Sequence, residues 1–366
     1  MSRWTKADAG SWWRAQPWIC GFNFLPSTAV NFLEFWHRDT YDPATIEREL
    51  DWASAIGFNA MRVNLHYLVW KHDREGLLER IDRCLDIGAR VGIRTVLCLL
   101  DDCGFGRAEP RYGPQPDPLP GVHNSRAVAS PGRALVMNRS AWPDIETYVR
   151  DIVRTFRTDK RVLFWDLYNE PGNRMEFGPD TYSEFDDALL SHSQALMAAC
   201  FDWARVETPE QPMTVGAWLT PLPTSMELPY QNMIDQQALS LSDLVTFHAY
   251  SDSARTSQFV DYLATHDRPM ACTEWMARSV DSRIVDQLSM LKRRDIGCFQ
   301  WGLVKGRSQT HLPWPSGLME LLGKSHEDGT WFHDLLDEHG QAYDITEIEV
   351  IRTLTSESRD RDEPVP

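Results

Sequence analysis

Apolar and polar positions alternate along this chain in blocks of two kinds. Eight short apolar runs, each rich in β-branched or aromatic residues, have the length of strands: 18–24, 60–66, 93–100, 162–168, 213–218, 244–250, 270–275 and 298–303. Between them lie longer segments with helical spacing. Asp42-Pro43 opens the first with an N-cap acid followed by Pro at the first helical position, and Gly57 stops it after Ile56. Residues 75–91 repeat the logic and end at Gly92. Helical patterns also cover 142–158, 181–205, 281–294 and 344–354, with weaker ones near 230–240 and 255–265.

Strands that are apolar throughout belong in a parallel sheet covered on both faces. Eight strand–helix units therefore predict a (β/α)₈ TIM barrel, a single α/β domain over 1–354. The structural alternative is an open doubly wound sheet, but no strand-to-helix turn carries a GxGxxG fingerprint. Two βα loops stand out by length, about 101–141 after strand three and 304–343 after strand eight. Loops that long in a compact domain usually carry function, and in barrels function sits at the C-terminal strand ends. The tail 355–366, TSESRDRDEPVP, is polar and charged and is expected to be disordered.

Composition narrows the partners. The chain of 366 residues has 37 Lys plus Arg against 53 Asp plus Glu, a formal charge of −16 that repels nucleic acid and anionic membranes. No run of 18 apolar residues marks a membrane span. The N-terminal MSRWTKADAGSWWRAQPW has no apolar leader core, which predicts a cytoplasmic protein. Seven Cys without CxxC or finger spacing read as small buried hydrophobes. Fifteen Trp supply flat apolar faces that suit a core and equally suit stacking on sugar rings. Histidines are scattered, with no HxH on strand one and no HExxH, so neither a metal nor a cofactor is expected.

The chemistry concentrates at two strand ends. Strand four ends WDLYNEP and strand seven ends ACTEWMA, which places Glu170 and Glu274 where apolar strands stop, 104 residues apart. A single strand-end Glu is ordinarily a solvated loop acid. Two of them on strands four and seven of one barrel face each other across the mouth, and cleavage of a glycosidic bond needs two carboxyl groups.

On these residues the chain resembles the clan A glycoside hydrolases, most closely family 5, the cellulase-like branch, over roughly 18–350. The resemblance implies that Glu170, preceded by Asn169, is the acid/base and Glu274 the nucleophile. It implies support from Arg62 at the end of strand two, His248 and Tyr250 at the end of strand six, and Trp301 at the end of strand eight as the floor of the reacting-sugar site. Arg62 is expected to keep Glu274 ionised, Tyr250 to hold its rotamer, His248 to contact its surroundings, and Asn169 to bond the 2-hydroxyl. The charge on Glu274 is expected to raise the pKa of Glu170.

One departure is visible. Many family 5 members carry a His near the end of strand three, where this chain has Asp101 and Asp102. Adjacent carboxylates at a rim are expected to grip vicinal sugar hydroxyls. Further candidate sugar contacts are His66, Trp70, Trp218, Lys305, His311 and Trp314. The reading that follows is a retaining β-glycosidase acting on an oligosaccharide or polysaccharide. Exo action of the β-mannosidase or β-glucosidase type is favoured, with loop 101–141 closing one end of the cleft. Endo action on a β-1,4 polymer, transglycosylation and a non-catalytic sugar-binding barrel are the alternatives.

Overall fold

The structure is a computed structural model that describes residues 2–179 and 181–357. All eight predicted strands form. They are β1 (Cys20–Asn23), β2 (Ala60–Asn64), β3 (Arg94–Asp101), β4 (Val162–Asn169), β5 (Met213–Thr214), β6 (Val245–His248), β7 (Met270–Trp275) and β8 (Gly297–Trp301). They pair in parallel in the order β5-β4-β3-β2-β1-β8-β7-β6. The ring closes between β5 and β6 through a single bridge, Ala217 to Phe247. There the Ala217 N–H donates to Thr246 O and the His248 N–H donates to Ala217 O, both at 2.9 Å. The run 213–218 is therefore ladder only at its first two residues. Gly216 backs onto the His248 ring, and a Cβ there would lie 3.2 Å from Nε2.

The helices fall where their caps predict. After β1 to β8 come α1 (Pro43–Ile56), α2 (Arg74–Arg90), α3 (Trp142–Phe156), α4 (Ala188–Val206), α5 (Met233–Leu241), α6 (Ser253–Ala264), α7 (Ile284–Arg293) and α8 (Ile345–Ser356). Asp42 accepts from the Ala44 and Thr45 N–H groups at the start of α1, and Gly57 ends it at φ 110°. One boundary is corrected. The helical pattern at 181–205 begins at Ala188, because Tyr182–Glu184 pairs antiparallel with Met175–Phe177. That hairpin is held by Phe177, which stacks on Phe105 with centroids 4.3 Å apart. Among the described residues no helix is long and apolar enough to cross a membrane. Most of the segment read as a disordered tail lies outside the described residues; α8 itself runs to Ser356.

Alternation along each strand builds the barrel interior in layers. At the N-terminal end Ala60, Val96, Leu163, Phe164, Leu244, Ala271 and Phe299 pack together, and a helix at Lys6–Arg14 covers them with Ala9 and Trp13. Gly21 is needed here, since a Cβ would lie 2.4 Å from Ala60 O and 2.8 Å from the Phe299 ring. One step up the same faces, Ala60 gives way to Arg62, Phe164 to Asp166, and Phe299 to Trp301. The larger apolar layer lies outside the ring, between strands and helices, with Trp165, Leu97, Leu50, Ile152 and Phe201 among its members.

Candidate active site

Arg62 organises the C-terminal end. Its guanidinium is fully buried and donates to Glu274 Oε1 at 2.9 Å, Asp166 Oδ2 at 2.9 Å, Asn169 Oδ1 at 2.6 Å and Asn23 Oδ1 at 2.8 Å. Burial opposes its charge, but Asp166 and Glu274 more than offset that and its pKa moves up. Four partners on three strands fix the planar fork, a task a lysine could not perform.

Glu274 accepts from Arg62 on one oxygen and from the Tyr250 hydroxyl on the other, at 3.0 Å. Glu170 Oε1 lies 2.8 Å from His248 Nδ1, and Oε2 accepts from Asn173 Nδ2 at 2.6 Å and faces the Cys103 thiol at 3.2 Å. Glu170 sits at φ 43°, a left-handed conformation that turns the chain sharply at the end of β4. An oxygen of each carboxylate and a ring nitrogen of His248 fall within 4.8 Å of one another.

Burial is the largest influence on both carboxyls and raises both, and the Glu170 charge raises Glu274 further. Burial also lowers His248, to about 4, so the imidazole is neutral. The expectation that Glu274 mainly sets the Glu170 pKa is thus revised: burial comes first, and Asn173, Cys103 and Arg62 pull the other way. Glu170, His248 and Glu274 form the one set of donors spaced for a metal ion among the described residues. The Arg62 charge at 2.9 Å from Glu274 would face such an ion, so the set suits a shared proton better.

A cavity of about 300 Å³ opens above these groups, lined by Asp101, Asn169, Trp218, Tyr250, Trp301 and Trp314 among others. It brings together Glu170, Glu274, Asn169, His248, Tyr250 and Trp301, as the strand ends predict. Arg62 lies beneath its floor.

Five predicted contacts are corrected. Asp102 is buried away from the cavity, its oxygens filled by the Tyr168 hydroxyl at 2.8 Å, the Gly172 N–H at 2.7 Å and the Ser193 hydroxyl at 2.6 Å. His66 is buried at the N-cap of a short helix, Tyr67–His72, with Nδ1 accepting from the Leu68 N–H at 3.2 Å. Trp70 packs on Tyr67 and Tyr148 and donates to Asp151. Lys305 lies over the Trp331 ring, and His311 packs on the same ring, both off the cavity. Asp101 does line the cavity, but its oxygens serve Asn64, Asn169 and the Cys103 N–H, all at 2.8–2.9 Å, so it positions Asn169.

Sequence reasoning missed Asp166, Asn173, Cys103 and the pair His123 and His333, which also line or underlie the site. Asp166 alone carried a signal, being an acid in the middle of an apolar strand.

The long loops after β3 and β8 are knitted together across the mouth. His123 Nδ1 meets Leu312 O at 2.7 Å, the Asn124 N–H donates to Ser308 O at 2.9 Å, and Gln309 donates to Leu119 O and Val122 O.

No protein-family profile matches the chain, and no curated protein matches its sequence. Solved structures do match. A GH5_18 protein from Streptomyces cattleya in complex with Manb1-4GlcNAc aligns at TM-score 0.62 and 14% identity, covering 96% of this chain and 83% of that one. An endo-1,4-beta-mannanase from Rhizomucor miehei aligns at 0.59 and 13%, covering 93% and 96%. An exo-beta-1,4-mannosidase from Opitutaceae bacterium strain TAV5 aligns at 0.55 and 16%, covering 92% and 59%. The chain has the fold of the family 5 glycoside hydrolases.

Proposed function

We propose that this protein is a retaining, exo-acting β-glycoside hydrolase of the β-mannosidase type, with Glu274 as nucleophile and Glu170 as acid/base. The observation that carries the reading is the unequal wiring of two carboxylates whose oxygens approach within 4.8 Å. That approach matches double displacement, where carboxyl groups stand roughly 5–5.5 Å apart, and leaves no room for the water of an inverting enzyme.

Two buried carboxyls this close share one proton at neutral pH. On Glu274 one oxygen faces a guanidinium, which has no acceptor for an acid proton. On Glu170 one oxygen faces Nδ1 of a neutral imidazole, which can accept it. The proton therefore rests on Glu170. Glu170 gives it to the leaving oxygen while Glu274 attacks the anomeric carbon, forming a glycosyl ester. Water then loses a proton to Glu170 and displaces Glu274. One Asn169 N–H is committed to Asp101, and the other faces only the weak acceptor Cys103 Sγ at 3.4 Å, which the 2-hydroxyl can replace in the transition state.

Exo action is supported by the join between the β3 and β8 loops, which crosses the mouth over β1 and β2 and leaves a pocket on the reacting-sugar side. A cavity of about 300 Å³ is at the low end for ligand sites, roughly 300–1,000 Å³. The β-mannosyl preference rests on the fold's likeness to an exo-beta-1,4-mannosidase and to a GH5_18 protein holding Manb1-4GlcNAc. Proton NMR of the first product from 4-nitrophenyl β-mannoside and β-glucoside tests the mechanism. The β-anomer is expected from whichever is turned over, and an initial α-anomer would refute the assignment.

A further inference from the structure

The leaving group must lie on the Glu170 side of the cavity, because Glu170 protonates its oxygen. The walls there come from the segments after β4 and β5 and from a short helix after β8, Ser316–Leu321. They present Met175, Phe177, Leu219, Leu222, Leu318 and Leu321. Among the lining residues in 175–222 and 318–322, Thr220 is the one with a free polar side chain; the Trp218 indole Nε1–H already donates to Pro171 O at 3.2 Å. Leu222 and Leu321 line the cavity and are also 42% and 52% exposed, so they mark its opening. On the same segment as Leu222, Met226 and Leu228 stand 97% and 58% exposed.

A sugar in this place would bring several hydroxyls, and each needs a partner once water is displaced. Thr220 apart, this wall has none to offer, and its ring faces, Phe177 and Trp218, accept an alkyl chain as well as a sugar face. An alkyl chain needs no partner and gains from every methylene it removes from water. An apolar rim running out of an apolar cavity is costly on a free surface and marks an occupant.

We infer that the leaving-group side takes an apolar, alkyl-bearing aglycone, so that the substrates are amphiphilic β-glycosides. The inference rests on the exo-acting β-glycosidase reading and specifies its leaving group. No additional chemistry is needed: Glu170 protonates the glycosidic oxygen, and the aglycone departs as an alcohol.

The test compares methyl, hexyl and octyl β-mannosides and β-glucosides, below their micellar concentrations, with β-1,4-mannobiose and cellobiose. With wild-type protein, kcat/KM is expected to rise by about tenfold or more from methyl to octyl, since a buried methylene contributes about fourfold. The octyl glycoside should also exceed the disaccharide. In Leu222→Asn/Leu321→Asn the octyl-to-methyl ratio should collapse toward one. A flat chain-length profile with brisk disaccharide hydrolysis would overturn the aglycone inference and leave the glycosidase reading standing. A flat profile together with a dimer in sedimentation that Leu222→Asn dissociates would overturn it in favour of a second copy on the rim. Failure to hydrolyse any of these or an activated dinitrophenyl glycoside would remove the glycosidase reading itself.

Discussion

The two ends of the barrel interior use the same strands for opposite purposes. At the N-terminal end the inward residues are Ala60, Val96, Phe164, Ala271 and Phe299, packed dry beneath a covering helix. Two residues further along the same faces stand Arg62, Cys98 and Asp166, tied to one another and to Glu274. The lower layer contributes stability through burial of apolar area. The upper layer holds a buried cation between two carboxylates, an arrangement whose desolvation cost offsets much of its attraction. A strand face can therefore switch from structural to chemical within 7 Å of chain. In this molecule the switch happens on β2, β3 and β4.

The sharpest way to break this contrast is Glu274→Ala. Turnover should fall by about 10⁴-fold or more, while Tm moves by less than about 4 °C because Arg62 keeps Asp166 and one buried carboxylate no longer has to be desolvated. Azide should restore part of the rate by occupying the vacated position; undiminished hydrolysis without azide would unseat Glu274. Phe299→Ala should do the reverse. Phe299 is fully buried and packs edge-on to Phe164 at 6.0 Å, so its loss should cost about 3–5 kcal/mol in urea denaturation. The kcat of the fraction still folded should stay within about twofold, as expected for distant sites. A large kcat defect would show that the layers are not independent.

A smaller effect sharpens the upper layer alone. Tyr250→Phe removes a donor to an ionised carboxylate, worth about 1.5–3 kcal/mol, or about 10- to 100-fold in kcat/KM. The hydrogen bond lowers the Glu274 pKa, so its loss raises it. The acid limb of the pH profile should shift to higher pH. A shift to lower pH would mean that Tyr250 does not act on Glu274.

Much of this was legible in the sequence, for reasons that also explain what was not. Eight apolar runs spaced by capped helices are a local signal, and they located every strand of the barrel. Glu170, Glu274, Arg62 and Tyr250 were legible because strand ends of a barrel converge by geometry. Asp101 and Asp102 were read as rim acids. A carboxylate looks the same in sequence whether sugar hydroxyls or protein donors fill it, and the donors here lie as far away as Ser193. His66 failed similarly, as a cap resembles a ligand until its Nδ1 is seen facing a helix N–H. The 182–184 strand was hidden because a helical pattern runs into it and its partner lies in a loop. The apolar lining of the leaving-group side was invisible, since Leu219, Leu222, Leu318 and Leu321 come together only after folding.

The backbone of Glu170 carries a last consequence. A side-chain-bearing residue at φ 43° is uncomfortable, and glycine or asparagine would sit there with less strain. Drift by mutation alone would favour either replacement, and each would erase the proton shuttle. The position is thus a tug-of-war between folding and turnover: a lineage that ceased to need the reaction should lose this glutamate early and gain a sturdier barrel by doing so.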